Sequence, residues 1–588
     1  MRSRRESNTP RVLRWRNVLL GVLLLSSLLY AGLIVTWTLR NSDVEQDSFS
    51  GRIFQHREHS LQTTMAEVTN NSNPDKLLRQ KGREPTSTTM SAVSGNPHNV
   101  VDLPSNSSRT RHLKCIGWRA TAECSPNGDR QPQNDQDCNS TIPDGTAGYC
   151  EVEDVDSHER FMVMKRTCHK GYKKTVFRCV DAPGFANFRA KAQLVVEKAL
   201  APGYALPNTD NSDRSLSQGI AMVVYPKLVA SAYATVRALR EVQGCRLPIE
   251  IWLRPDEMDK EPGALDPLKD LARNKSAGEM TFQAIRHSHA VLFNAKVYAI
   301  YNSKFDQVLF LDADNVPVRD PSYLFKTREF VDTGALFWPD YWHPQQTIFA
   351  INQTSLVWQL LDTSFVDMFE QESGQLLIDR KRHAAPLSLV TFFAFHMPNY
   401  FYKLKLAWGD KDLFRFAWLK LGARFHMIAT LPAVAGEMVG TSFCGMTMGQ
   451  HDPNGDVIFL HRNQLKLTGE SKVHNFDPRL KKALANARGG TIFDTVDDNE
   501  YPDPAIWTHL VSFRKGAPRS EYIIQKHATM NKFTGMQRCF GGRALHENPN
   551  FYAREFGEYS FSGLETYLRH FAREAAHIQQ QKKLSIVS

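Results

Sequence analysis

The sequence lacks a stripe of basic residues interleaved with aromatic ones, which is the usual mark of a nucleic-acid interface. Its formal net charge is +10, but six arginines fall within the first 16 residues, where only Glu6 opposes them. Much of the positive charge is therefore local. The remaining chain is not expected to bind nucleic acid, and its 42% hydrophobic and 23% charged residues are ordinary for a folded protein.

Closely spaced cysteine pairs of the C-x2-C kind, which bind zinc, are also absent. Six of the nine cysteines are instead spread over residues 115–179, with eight or more residues between neighbours. An even number of cysteines in a short segment is typical of a disulfide framework in an oxidising compartment, with the pairing left open. The other three, of which at least one is expected to be free or paired elsewhere, are Cys245, Cys444 and Cys539.

Residues 18–39 form one long run without a charge, and no second run of that length follows. At ~1.5 Å per residue, such a helix crosses a hydrocarbon core of about 30 Å. The alternative, a cleaved signal peptide, has an apolar region of only about 7–15 residues. The arginines before the run place residues 1–17 in the cytosol. The pattern predicts a single-pass type II protein with a cytosolic tail at 1–17 and a transmembrane signal-anchor at 18–39.

Composition divides the part predicted to be lumenal. Residues 40–111 are polar and carry almost no apolar periodicity, which predicts a disordered stalk. The cysteine-rich segment predicts a small disulfide-rich module at 112–182, and a catalytic domain is expected at 215–470. Residues 471–588 are of mixed composition, and we treat them as a C-terminal extension of unknown role.

The catalytic region begins with alternating strand and helix patterns. Apolar runs at 219–224, 248–253 and 307–311 predict buried strands, and the segments 228–244 and 290–303 have helical periodicity. This order predicts an α/β fold with an open, mostly parallel sheet and helices on both faces. Ligands bind such sheets beyond the carboxyl ends of the strands, so the residues after 311 are a candidate site.

Asp312-Ala313-Asp314 follows the third of these strands. Alternation along an extended chain places the two carboxylates on one side, with a small residue between them. Two carboxylates suit a hard divalent ion, Mn²⁺ or Mg²⁺, which in turn binds the diphosphate of a nucleotide donor. The alternative is a pair of solvated turn acids, which the buried strand before them disfavours.

Four segments then occur in order: VLFLDADNVPVRDPSYLF, GALFWPDYW, ESGQLLIDR and GDKDLFRFAW. In this order they resemble the fungal Golgi alpha-mannosyltransferases that branch mannan, glycosyltransferase family 71, over about 219–469. The resemblance implies a GT-A fold, a GDP-mannose donor, Mn²⁺ and retention of the anomeric configuration. The cysteine-rich module and the sequence Tyr225-Pro226-Lys227 after the first strand are not part of that family's pattern.

The resemblance also implies roles for individual residues. In GT-A enzymes a histidine late in the domain often completes the metal site, which here points to His461 beside Asp312 and Asp314. The donor is expected to contact a set of polar residues around that ion: Lys296, Asp312, Asp314, Asn315 and Lys466.

Further acids are candidates for catalysis and acceptor binding. Asp340 lies among aromatic residues that suit a sugar pocket, and Glu372 and Gln375 lie in the segment that faces the reacting carbon in the family. Retention requires either a carboxylate nucleophile or attack from the face that the phosphate leaves, and both stay open. Asp410 and Asp412 are candidates for acceptor hydroxyls, or for capping the helix that follows.

The sequence therefore predicts a Golgi membrane α-mannosyltransferase that acts on a glycan or glycoprotein acceptor. One alternative is a metal-dependent retaining transferase with a UDP-sugar donor. A second, of another class, is an inactive carbohydrate-binding membrane protein whose cysteine-rich module is a lectin. The acceptor, the linkage and the oligomeric state are not predicted.

Overall fold

A computed structural model of the chain describes residues 100–169, 171–172, 175–209, 216–274, 278–470, 501–528, 533 and 538–587. The predicted tail, the transmembrane signal-anchor at 18–39 and the stalk up to residue 99 lie outside these residues. Within the described ranges, no helix combines the length and apolarity that a membrane crossing requires.

The strands fall into three sheets. They are β1 (Val100–Asp102), β2 (Leu113–Ala120), β3 (Gly148–Asp154), β4 (Arg160–Arg166), β5 (Gln218–Val223), β6 (Ile249–Leu253), β7 (Met280–Ala284), β8 (Gln307–Leu311), β9 (Asn315–Pro317), β10 (Ala335–Pro339), β11 (Gln371–Asp379), β12 (His426–Met427), β13 (Ala433–Val439), β14 (Ser442–His451), β15 (Val457–His461), β16 (His509–Phe513), β17 (Lys526–Ala528), β18 (Arg538–Phe540) and β19 (Phe551–Glu555).

The helices pack around these sheets. They are α1 (Ala182–Leu200), α2 (Val229–Arg237), α3 (Pro255–Met258), α4 (Asp266–Arg273), α5 (Asn294–Asn302), α6 (Arg328–Thr333), α7 (Leu356–Leu361), α8 (Ala384–Phe395), α9 (Tyr400–Lys403), α10 (Leu413–Leu421) and α11 (Leu564–Val587).

The central sheet has the order β12-β10-β11-β8-β5-β6-β7. Its β5, β6, β7 and β8 are mutually parallel, whereas β11 runs antiparallel to both of its neighbours. All five residues of β8 are buried, as expected of a strand covered on both faces. The predicted α/β architecture with a mostly parallel sheet is confirmed.

Two hydrophobic cores lie on the two faces of this sheet. Val308 and Phe310 of β8 belong to one core, and Leu309 and Leu311 belong to the other. This division follows from the period of two along a strand, which sends successive side chains to opposite faces. The first core is completed by α5, α8 and α10, and the second by α2, α4 and α11, so helices cover both faces.

The cysteine-rich module is a four-stranded sheet of order β1-β4-β3-β2. Its disulfides are Cys115–Cys138, Cys124–Cys168 and Cys150–Cys179. Because β1 pairs with β4, residues 100–111 belong with the module and not with the predicted stalk. Trp118 and Phe161 of the module share the first core with α1 and α8, so the module and the α/β region form one packed body.

The C-terminal residues complete a second sheet of order β17-β18-β14-β13-β16-β19, to which β9 and β15 also pair. A disulfide between Cys444 and Cys539 links β14 to β18, and α11 packs on α2. The segment that was predicted to be an extension therefore supplies part of the catalytic region's own sheet and core. Cys245 is the free, buried thiol.

Candidate active site

The candidate site begins where β8 ends. Antiparallel pairing with β11 places Gln375 opposite Leu311, the last residue of β8. Just beyond it, the Asp312 N–H donates to the Gly374 carbonyl (2.8 Å), and the Asn315 N–H donates to the Asp312 carbonyl (3.0 Å). These bonds fold residues 312–315 into a turn at the carboxyl edge of the sheet, where ligands bind in open α/β folds.

His461 reaches this turn through strand pairing. β9, which follows the turn, pairs antiparallel with β15 and places Asn315 opposite His461. The Arg462 N–H also donates to the Asp314 carbonyl (2.9 Å). His461 Nε2 lies 3.3 Å from Asp314 Oδ1 and 4.0 Å from Asp312 Oδ2. The structure thus brings the three predicted metal ligands together across about 150 residues of sequence.

One atom from each of these three side chains lies within 4.8 Å of the other two. Asp314 and His461 are buried, whereas the Asp312 side chain is 27% exposed, so the group is enclosed by protein and open toward solvent at Asp312. Two carboxylates and an imidazole suit Mn²⁺ or Mg²⁺ and leave positions for phosphate oxygens. The residues present therefore fit a divalent ion.

Lys296, on α5, is almost fully buried beside the site. Its Nζ lies 3.0 Å from Asp312 Oδ1 and 3.6 Å from Asp410 Oδ2, and it donates to the Ser373 carbonyl (2.9 Å). Burial alone would lower the pKa of this lysine, but Asp312 and Asp410 raise it above the ordinary value, so Lys296 is charged. Its contacts make it a fixed positive charge behind Asp312.

Lys466 supplies a second positive charge, and its side chain is 39% exposed. It forms an ion pair with Asp314. Burial would raise the pKa of Asp314, but Lys466 and His461 lower it far below the usual range. For His461 the effects are opposite: burial alone would lower its pKa, but the carboxylates of Asp314 and Glu372 raise that pKa to about 10. At neutral pH the ion-free site therefore holds a protonated imidazole.

Glu372 lies on the opposite side of the imidazole. Its Oε1 is 3.3 Å from His461 Nδ1 and accepts the Gly374 N–H (2.8 Å). Burial would raise the pKa of Glu372, but His461 and then Lys296 lower it, so the carboxylate is ionised. Gly374 makes this packing possible, since a Cβ there would lie 2.6 Å from His461 Nδ1.

Asp410 is 2% exposed, and its Oδ2 makes no hydrogen bond among the described residues. Burial raises the pKa of this carboxyl to about 7 although Lys296 lowers it. The following helix begins at Leu413 with Asp412 before it, so Asp410 does not cap it. A carboxyl that titrates near neutrality next to the metal ligands is suited to receiving a hydroxyl group.

Asp340 differs from the prediction. It is buried and pairs with Lys411 (2.9 Å), and burial raises its pKa to about 7 against the effect of that lysine. Trp338, Tyr341 and Trp342 beside it are packed in the hydrophobic cores. The difference arises because the motif lies at the end of an interior strand, so its aromatic rings are buried and do not form the open sugar pocket that was predicted; a catalytic role for Asp340 stays a prediction.

Three other predicted residues also have structural partners. Asn315 is fully buried and donates through Nδ2 to Gln375 Oε1 (2.5 Å), which places both side chains behind the site. Asp412 is fully buried and accepts from the Gln371 N–H and from Arg415 Nε, each at 2.8 Å. All three side chains are therefore held by hydrogen bonds within the protein, and their contact with donor or acceptor stays a prediction.

Tyr225 is a residue of the site that sequence reasoning missed. It follows β5, which is parallel to β8, so it stands at the same edge of the sheet as Asp312. It is 40% exposed, and burial together with Asp314 raises its pKa while Lys466 lowers it. In the sequence, the position of Tyr225 just after β5, the strand that pairs with β8, could have indicated it.

Residues 217–452 match the family model "Mannosyltransferase putative". The match includes Asp312, Asp314, Glu372 and Asp410. Residues 217–452 are therefore similar to a mannosyltransferase family. The predicted resemblance is confirmed, and His461 and Lys466 lie beyond the matched segment.

Curated relatives agree with this assignment. Alpha-1,2-mannosyltransferase MNN21 of Candida albicans is 26% identical over 282 residues, which cover 38% of this chain and 41% of that protein. Alpha-1,2-mannosyltransferase MNN5 of Saccharomyces cerevisiae is 24% identical over 374 residues, covering 52% of this chain and 62% of that protein. The chain thus spans less than two thirds of the length of these relatives.

Solved structures that are similar to part of this chain include galactosyltransferase LgtC in complex with donor and acceptor sugar analogs. It is 14% identical, covers 35% of this chain and 72% of its own, and has a TM-score of 0.25. The mannosyltransferase Ktr4p from S. cerevisiae in complex with GDP is 13% identical, covers 44% and 82%, and has a TM-score of 0.26. Scores at this level are too low for a comparison of the sites.

Proposed function

We propose that this chain is a single-pass type II Golgi membrane enzyme, a retaining α-mannosyltransferase that transfers mannose from GDP-mannose to a glycan or glycoprotein. The observation that carries the proposal is the group formed by Asp312, Asp314 and His461 at the carboxyl edge of the central sheet, within 4.8 Å of one another. The family match of the surrounding residues supports mannose as the transferred sugar. The names of the relatives support an α-1,2 linkage.

Asp312, Asp314 and His461 would hold the divalent ion, with Mn²⁺ as the first choice and Mg²⁺ as the second. When bound, the ion neutralises charge on the diphosphate as the sugar leaves. Lys466, 39% exposed and ion-paired with Asp314, would hold a phosphate oxygen with its ammonium group. Lys296 is held by Asp312 and Ser373, so it keeps the Asp312 carboxylate in place and balances its charge.

The sugar would lie between Glu372 and Asp410. Glu372 is ionised beside His461, so its carboxylate is suited to stabilising positive charge at the anomeric carbon as the bond to the diphosphate lengthens. The Asp410 Oδ2 atom, which makes no hydrogen bond among the described residues, would accept a hydroxyl of the incoming acceptor. The new bond would form on the face that the phosphate leaves, and the acceptor proton would pass to the departing phosphate oxygen, which preserves the configuration.

The test uses the full chain, purified in detergent, with a panel of GDP- and UDP-sugars and a mannose acceptor, with Mn²⁺ or with EDTA. We expect Mn²⁺-dependent release of GDP from GDP-mannose and an α-linked product by NMR. Asp314→Ala should lose activity while remaining folded, and Asp332→Ala, an exposed acid on α6, is the matched control. A preference for a UDP-sugar would overturn the donor, and full activity of Asp314→Ala would overturn the metal site.

A further inference from the structure

Two large aromatic side chains are exposed at the edge of the candidate site. Phe293 is 51% exposed and Trp408 is 42% exposed, and Leu292 beside them is 54% exposed. The ring centroids of Phe293 and Trp408 are 6.5 Å apart. Exposed apolar rings that lie together in this way are typical of surfaces that bind a ligand or a partner.

Both rings belong to residues that lie close in sequence to residues of the candidate site. Phe293 directly precedes α5, which carries Lys296, and Trp408 lies two residues before Asp410. Gly409, between Trp408 and Asp410, has a φ of +59° and approaches Phe293 so closely that a Cβ would lie 2.7 Å from its ring. The two aromatic residues therefore flank the loop that presents Asp410.

The aromatic contacts continue from this loop to the disulfide-rich module. Trp408 is 5.4 Å from the ring of Phe349, and Phe349 stacks on Tyr172 at 4.7 Å with an interplanar angle of 17°. Tyr172 belongs to the disulfide-rich module and follows Cys168, which forms a disulfide with Cys124. We call Tyr172, Phe349, Trp408 and Phe293 the aromatic row.

We propose that the exposed end of the aromatic row, Phe293 and Trp408, is a binding subsite for an acceptor sugar ring. The inference rests on the proposed function. An apolar ring face can pack on the C–H face of a pyranose, while Asp410 next to it accepts a hydroxyl of the same ligand. A lipid or protein partner would not require, two residues from the exposed ring, a carboxylate whose Oδ2 makes no hydrogen bond among the described residues and has the Lys296 ammonium, at 3.6 Å, beside it. The module would support this subsite through Tyr172 and Phe349.

The variants Phe293→Ala and Trp408→Ala test the subsite in the full-length protein. We expect the KM for an α-linked mannobiose acceptor to rise by about tenfold, the effect of losing one good apolar contact. The KM for GDP-mannose, and its hydrolysis without acceptor, should stay unchanged. Trp408→Phe, which keeps a ring and its packing on Phe349, should restore most of the acceptor affinity. Tyr567→Ala, at a ring 51% exposed on α11, is the matched control.

The outcomes separate this subsite from the proposed function. If the wild-type protein neither hydrolyses GDP-mannose nor transfers mannose, the proposed function fails. If it does both, and both alanine variants keep the wild-type acceptor KM while folded by circular dichroism, the subsite is overturned. Should Trp408→Ala fail to fold, Trp408→Leu and Phe293→Ala carry the test, and a raised acceptor KM in either supports the subsite.

Discussion

Gly374 offers a sharp test of the site, because a side chain at this position would collide with His461. The substitution Gly374→Ala adds one methyl group. Its carbon would lie 2.6 Å from His461 Nδ1, 2.7 Å from His461 Cε1 and 2.9 Å from Glu372 Oε1. Ordinary van der Waals contact begins at 3.4 Å, so the imidazole has to move by 0.8 Å (3.4 − 2.6) to accept the methyl group.

A displacement of this size is large for a catalytic site. A misplacement of about 1 Å in a reacting or ligating group costs about 10²-fold in rate. We therefore expect kcat for mannose transfer to fall by about 10²-fold in Gly374→Ala, with weaker Mn²⁺ binding, since His461 is one of the three proposed ligands. The free energy of activation should change more than the free energy of unfolding, because the methyl group meets side chains that can move and not a rigid backbone.

The assay is GDP release at saturating donor, with Mn²⁺ affinity by isothermal titration calorimetry and thermal unfolding followed in parallel. Gly557→Ala is the control, since a Cβ at Gly557 meets nothing within 4 Å. It should leave both activity and Mn²⁺ affinity unchanged. A Gly374→Ala protein with wild-type turnover and wild-type Mn²⁺ affinity would refute the placement of His461 in the metal site.

Three further predictions concern the charges and the thiol. Since His461 has a pKa of about 10 without the ion, Mn²⁺ must displace a proton from it, and the apparent Mn²⁺ affinity should rise about tenfold per pH unit above pH 7 and level off near pH 10. Calorimetry in buffers of different ionisation enthalpy should detect one released proton, and an affinity that does not change with pH would contradict the assignment of His461. Burial raises the pKa of the Cys245 thiol to about 12, so a thiol reagent should label no cysteine in the native protein and one cysteine in guanidinium without reductant. Rapid labelling of the native protein would contradict the burial of Cys245. Glu565→Gln removes the negative charge that pairs with the buried Arg462, so the free energy of unfolding, measured by urea titration, should fall by about 3 kcal/mol. The control Glu558→Gln, at an exposed ion pair, should leave the free energy of unfolding unchanged.

The fold could be predicted where hydrophobic runs are continuous. The strands β5, β6 and β8 are short apolar segments between helical patterns, so their order and burial follow from the period of the sequence. The antiparallel insertion of β11 could not be predicted in the same way. Its sequence, QESGQLLID, contains only three consecutive apolar residues, and the direction of a strand is decided by its connection and not by composition.

The position of Asp312 and Asp314 at the carboxyl edge of the sheet could be predicted because they follow a buried strand directly, whereas their role as metal ligands stays a prediction. The sequence could not show that Asp340 and Asp412 pair with a buried lysine and a buried arginine, because a carboxylate in sequence looks the same whether it faces a cleft or a buried cation. Burial decides between the two, and burial depends on pairing between distant segments. For the same reason, the partnership of the disulfide-rich module with α8 left no local signal.

The contact between Arg462 and Glu565 has a consequence for the order in which the protein matures. Arg462 follows His461 directly, and its guanidinium is held by Glu565 near the start of the final described helix (2.7 Å). The same carboxylate accepts the backbone N–H groups of Ile506 (2.8 Å) and Trp507 (3.0 Å). We therefore expect His461 to reach its final position only after Glu565, more than a hundred residues later in the chain, has been synthesised. Chains shortened before residue 565 should lack the proposed activity, which the GDP-release assay would detect.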